Sequence, residues 1–257
     1  MNKFAKQLSI AAALALSSSL MLADTVAGTG ASSNQMWQTW NANQANSSGT
    51  PYWNNASWDG ANKNIGSCLT TSNCGMKDVP GALPYLGQTN GKAFSNFYFA
   101  GTGATVTATL EAAIAGDTAY EYFGWYNVQN PNQYGVIFSP STGVGSTEKF
   151  TPTAQYGLFF ANEAPGVGDV FLSQSTSSFS SDQGYQHFAA FEGTANSYYI
   201  GAEDLPSSHT DFDYNDMIVK MSSTSAAPEP GALLLFAVGI TALGAFRFRR
   251  KANTKQV

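Results

Sequence analysis

Five carboxylates fall within the fourteen residues from Glu203 to Asp216: Glu203, Asp204, Asp211, Asp213 and Asp216. The chain is otherwise sparsely charged, with 11% charged residues. Two carboxylates about 5 Å apart repel by roughly 3 kcal/mol at an effective dielectric of about 20, so such a concentration needs solvent, hydrogen-bond donors or a cation. Asp211, Asp213 and Asn215 carry the Asp-x-Asp-x-Asn spacing that opens an EF-hand loop, where successive oxygens converge on calcium. The remainder of that motif is missing. Its sixth position is Asp216 instead of glycine, and its twelfth is Ser222 instead of a bidentate glutamate. A Ca2+ site here must be completed from elsewhere, by Glu203 or Asp204 across the turn and by backbone carbonyls. The competing reading is that these short side chains hydrogen-bond loop amides in Asx-turns and leave the remaining charge solvated.

The loop has to be positioned by a strand. One strand over Asp211–Met221 would place Asp211, Asp213 and Asn215 on the same face as Met217, Val219 and Met221, which would bury charge. The strand is therefore expected to begin near Asp216, with residues 211–215 curled into a loop. Upstream, short apolar alternations separated by Gly, Asn, Ser and Thr predict strands rather than helices. They lie at 97–100, 105–113, 120–128, 135–139, 156–161, 169–172, 186–192, 198–202 and 216–222. Nine such strands, rich in Tyr, Phe, Val and Thr, predict an all-β fold, an antiparallel β-sandwich or jelly roll, over residues 94–222. Residues 173–184 (SQSTSSFSSDQG) read as a polar loop, and 223–227 as a linker.

Other chemistry is thinly represented. The chain has no G-x-S-x-G elbow, no H-E-x-x-H and two histidines, so it reads as non-enzymatic. Glu111, Glu121, Glu163 and Glu192 are the glutamates whose pairing across a sandwich would make a hydrolase acting on polysaccharide, with their separation deciding the mechanism. Residues 28–93 differ in composition. Trp37, Trp40, Trp53 and Trp58 stand there among polar residues, suited either to plugging an end of the sandwich or to stacking on sugar rings as a carbohydrate-binding module would. Cys68 and Cys74 are close enough to close a small disulfide loop, as befits an oxidising compartment.

Both ends carry targeting features. Lys3 and Lys6 precede an apolar run to Leu22 and then small residues, the layout of a secretory signal helix over residues 1–27, with cleavage after Ala23 or Ala27. Pro228-Glu229-Pro230 precede an uncharged stretch from Gly231 to Phe246, followed by Arg247, Arg249, Arg250 and Lys251. Sixteen residues reach about 24 Å as a helix, against a hydrocarbon core of roughly 30 Å, so this is a marginal single transmembrane helix with its basic end in the cytoplasm. Between the two ends, residues 28–227 hold five lysines, no arginine and fifteen acids, a surplus of ten negative charges. Such a surface repels nucleic acid and attracts cations.

The arrangement at 228–251 resembles the PEP-CTERM sorting signal of Gram-negative bacteria. That resemblance implies an inner-membrane-anchored precursor cut near the motif by an exosortase-type membrane protease. The protein is then released to the cell surface or an extracellular polysaccharide matrix; an uncut anchor is the alternative. A second resemblance rests on HFAAFEG, YYIGAEDL and DFDYNDMIV, in which Glu203-Asp204-Leu205 precede Asp211–Asp216 and His187 stands upstream. It is similar to an exported bacterial domain of unknown function, which implies a β-sandwich with a calcium role and no known reaction. Ser207–Thr210 replace the glycine-rich link common in that domain.

Overall fold

The computed structural model describes residues 24–30, 64–72, 74–86, 88–89, 92–101, 103–194, 196–208 and 213–223. They belong to a compact unit, Ala23–Thr224. The signal helix, the membrane segment, Pro228-Glu229-Pro230, the basic tail, the four tryptophans named above and Asp211 lie outside the described residues. Among the described residues no helix is long and apolar enough to cross a membrane.

Among the described residues, thirteen strands form two main antiparallel sheets and a small hairpin. The six-stranded sheet contains β1 (Thr25–Thr29), β4 (Asn96–Ala100), β9 (Gln155–Asn162), β6 (Glu121–Asn127) and β7 (Asn130–Phe138) in that order, with β10 (Asp169–Leu172) paired to β9. The five-stranded sheet runs β11 (Phe188–Glu192), β12 (Ser197–Ala202), β13 (Met217–Ser223), β5 (Val106–Ala113) and β8 (Thr147–Phe150). The hairpin pairs β2 (Gln88–Thr89) with β3 (Lys92–Ala93). Period-two alternation explains the pairing of faces. Phe97 and Phe99 on β4, Phe123 on β6, Leu158 and Phe160 on β9 and Phe171 on β10 point to one core. Val106, Ala108 and Leu110 on β5, Ile200 on β12 and Met217, Val219 and Met221 on β13 meet them from the other sheet. This is a sandwich core, built from the alternating positions the sequence predicts.

The two outer faces differ. The five-stranded sheet is roofed by residues 64–86, whose Ile65, Leu69, Met76 and Tyr85 pack on Ala112, Ala189, Phe191, Tyr199 and Ile218. This roof contains α1 (Ile65–Thr70), capped where the Asn64 side chain accepts from Ser67 N–H. Cys68 and Cys74 are joined in a disulfide that closes the turn after α1. The outer face of the six-stranded sheet carries Tyr122, Tyr126, Phe159, Ala161 and Leu172, the last four buried, and these side chains form the floor of a groove whose exposed residues include Tyr134 and Phe179.

Two boundaries need correction. The sandwich does not begin at residue 94, because β1 pairs with β4 from Thr25↔Ala100 to Thr29↔Asn96. Nor does its N-terminal edge begin at Gly28. Asp24 is 3% exposed: its carboxylate accepts from Tyr156 O–H at 2.9 Å, its carbonyl from Tyr198 O–H at 2.5 Å, and its N–H donates to Ser223 Oγ at 3.1 Å. Of the two cleavage positions, only the one after Ala23 preserves these contacts. A chain beginning at Gly28 is expected to lose about 2 kcal/mol and to melt about 4–8 °C below one beginning at Asp24. Equal melting temperatures in calorimetry would refute a structural role for residues 24–27.

Candidate functional site: an acidic end of the sandwich

The ends of five strands converge on the acidic residues. β13 starts at Met217, so Asp213–Asp216 precede it as a loop, as the alternation argument requires. Tyr214 sits there at φ 56°, in the left-handed region uncommon for a residue with a side chain. Its hydroxyl donates to Gln186 O at 2.6 Å, which anchors the bend. Ile65 N–H at the start of α1 donates to Asp213 O at 2.8 Å, and Ile114 N–H beyond β5 donates to Asp216 O at 3.0 Å. Gly201 on β12 lies directly beneath: a Cβ there would collide with Tyr214 O and the Ile65 side chain. The roof and the glycine thus fix the loop against the sheet.

Carboxylate oxygens of Glu203, Asp213 and Asp216 all lie within 4.8 Å of one another. Glu203 is 1% exposed and Asp213 9%. Asp213 accepts from Asn215 N–H at 3.0 Å and makes a second short contact with the Asn215 side-chain amide, a local Asx arrangement. Asp216 accepts from Asp204 N–H at 2.8 Å. Burial, then the charges of Glu203, Asp204 and Asp213, push the Asp216 carboxyl well above the usual range.

The Asp204 carboxyl bonds to Asp216 and also reaches a second group. Its carboxylate accepts from Asn162 Nδ2 at 3.3 Å, and the same amide reaches Asp117 Oδ2 at 3.3 Å. Asn162 is the β9 partner of Glu121, the first residue of β6. Glu121 is fully buried, and neither Oε meets a donor among the described residues. Burial first, and then Asp204 and Asp117, push its carboxyl up to about 9. Burial raises Asp204 as well. The acidic end therefore has two lobes, Glu203–Asp213–Asp216 and Asp204–Glu121–Asp117, joined through Asp204, whose N–H and carboxyl both reach Asp216.

Of the six residues expected to hold a metal, Glu203, Asp213 and Asp216 come together. Asp204 bridges the two lobes, Asn215 is occupied with Asp213, and Asp211 is outside the described residues. Sequence reasoning placed neither Glu121 nor Asp117 here. An isolated glutamate opening a strand carries no local signal, and the contact spans 83 residues. His187 is near but faces elsewhere. It stacks on Phe171 at 3.8 Å, its Nε2 lies 3.1 Å from Asp182 Oδ2, and its carbonyl accepts from Glu203 N–H. Burial alone would raise Asp182, but hydrogen bonds from His187 and Ser207 outweigh it and hold that carboxyl below its usual value.

The four glutamates of the hydrolase alternative go to separate surroundings. Glu111 faces Lys220 and Asp78, Glu121 pairs with Asp204, Glu163 borders the groove on the six-stranded sheet, and Glu192 ends β11 near Tyr198.

Residues 118–224 match the Domain of unknown function (DUF4114), so both lobes except Asp117 fall inside that domain. Residues 226–251 match the PEP-CTERM protein-sorting motif. That motif implies export and membrane-associated processing by an exosortase. Comparison with curated proteins and with solved structures yields no match.

The raised carboxyls set the sign of the pH response. Unfolded glutamate releases its proton near pH 4.3, whereas folded Glu121 retains it to about 9. Between those values the folded state binds more protons, so stability in chelator should decline as pH rises. Melting temperatures taken from pH 5 to pH 9 should fall by several degrees, and Glu121→Gln should flatten the slope. A rising or level profile for the parent chain would contradict the proton assignment.

Proposed function

We propose that the chain is an exported, non-enzymatic protein of the cell surface or extracellular matrix, whose sandwich is held at its acidic end by one calcium ion. The observation that carries this reading is the convergence of Glu203, Asp213 and Asp216 oxygens within 4.8 Å, beside the buried Glu121 carboxyl that lacks a donor. Hard oxygen ligands of irregular arrangement suit calcium, and among the described residues neither histidine nor thiol contributes: His187 faces Asp182 and the two cysteines are paired. Carbonyls and water would complete the shell. A divalent ion would neutralise the repulsion that otherwise keeps these carboxyls protonated. The solvated Asx-loop reading predicts the opposite behaviour, since removing a carboxylate then relieves repulsion.

At free calcium a hundred times the dissociation constant, linkage contributes about 2.7 kcal/mol, or about 5–10 °C in melting temperature for a domain of this size. Asp213→Ala should abolish most of that shift. Coincident melting curves of the mature protein in calcium and in chelator would sink the calcium reading.

Processing completes the proposal. Cleavage near Pro228-Glu229-Pro230 by the exosortase would free the sandwich from its membrane segment. Mass spectrometry of protein released from the native host should show a chain ending near the motif. Released material that still contains Lys251 would overturn it.

A further inference from the structure

We propose that the outer face of the six-stranded sheet is a binding groove for a neutral glycan chain. The groove crosses β6, β7, β9 and β10 and has a volume of about 480 Å³, within the range of ligand clefts. Its floor is aromatic because the sheet has glycines beneath it. A Cβ on Gly124 would collide with the Phe159 ring, and one on Gly157 with the Tyr126 ring, so both rings occupy space over bare backbone. The Tyr126 hydroxyl is held in place, donating to Gln174 Oε1 at 3.1 Å and accepting from Gln174 N–H at 3.2 Å.

The walls are aromatic and exposed. Tyr134 on β7 stands at 89° to Phe159 with ring centroids 5.8 Å apart, and is 64% exposed. Phe179, 54% exposed, faces it from the serine-rich loop. That loop is tied down by side-chain and backbone bonds: Ser181 Oγ accepts from Val170 N–H at 2.8 Å, and Ser181 N–H donates to Val170 O at 2.7 Å. A wall on a bonded loop is pre-organised.

The polar groups decide the ligand class. Rings with hydroxyl tips, the Asn132 amide and the Glu163 carboxylate line the groove, and among the described residues no Lys, Arg or His does. An anionic ligand therefore finds no counter-charge. A sugar presents C–H faces for the rings and hydroxyls for the amide and carboxylate. The edge of β7 carries Pro131, which interrupts the donor row an added peptide strand would need. This groove is independent of the acidic end, so calcium binding and glycan binding succeed or fail separately.

The test is titration calorimetry of the mature protein released by its host. The probes are cellohexaose, chitohexaose, xylohexaose, laminarihexaose and the anionic hexamer of galacturonic acid. At least one neutral hexamer should bind one to one. Tyr134→Ala and Phe179→Ala should each weaken it roughly tenfold without moving the melting temperature, the size of effect expected for a lost stacking ring. Absence of binding by all four neutral hexamers overturns the proposal. So does affinity unchanged in both variants, tighter binding of the galacturonate hexamer, or a self-association in sedimentation that Tyr134→Ala abolishes.

Discussion

The structure depends on how negative charge is accommodated at the end of the sandwich where both sheets terminate. β6 and β9 bring Glu121 and Asn162 from one sheet; β12 and the approach to β13 bring Glu203, Asp204, Asp213 and Asp216 from the other. Hydrogen bonding alone leaves this arrangement incomplete. Asn162 divides its amide between two carboxylates, and Glu121 has to keep a proton to remain buried. A protonated carboxyl and a bound cation are alternative solutions to the same electrostatic problem, since each cancels charge that the low-dielectric interior cannot screen. Protonation and stability are linked through this one end of the molecule, and the proposed calcium ion would act at the same place.

The rest of the fold supports that end by backbone contacts. α1 donates to Asp213 O, the segment after β5 donates to Asp216 O, and Tyr214 reaches Gln186 O. Gly201 permits the loop to lie against β12. The disulfide holds the turn that follows α1, so the roof over the five-stranded sheet also positions the acidic loop. On the six-stranded sheet the outer apolar side chains form a separate, smaller cluster that lines a groove.

Strands with clean alternation were legible in sequence. β10 coincides with the expected 169–172, and β4, β5, β6, β9, β12 and β13 differ from expectation by one or two residues at either end. The segments that escaped lacked that signal. β8, TEKF, is a charged edge strand whose polarity reads as a turn, although charge on an edge is what keeps it from pairing further. β1, TVAGT, follows directly on the apolar run of the signal-like segment and is hidden by it. α1 has six residues, too few for helical periodicity to show, and its stability comes from Ile65 and Leu69 packing on the sheet. The serine-rich loop reads as unstructured polar chain, yet its hydroxyls accept from the backbone of β10 and satisfy that edge.

At the acidic end, residue types and spacing in the sequence determined that a divalent cation or a network of Asx-turns must answer for Asp213, Asp216 and their neighbours. They also determined that the loop precedes its strand, because alternation would otherwise bury carboxylates in the core. The division of labour between Glu203 and Asp204 was decided by the tertiary structure. Glu203 joins Asp213 and Asp216, whereas Asp204 reaches Asp216 and also meets Asn162 and Glu121. The meeting of Asp204 with Glu121 joins the two sheets across 83 positions of sequence, and no local pattern encodes a contact at that range.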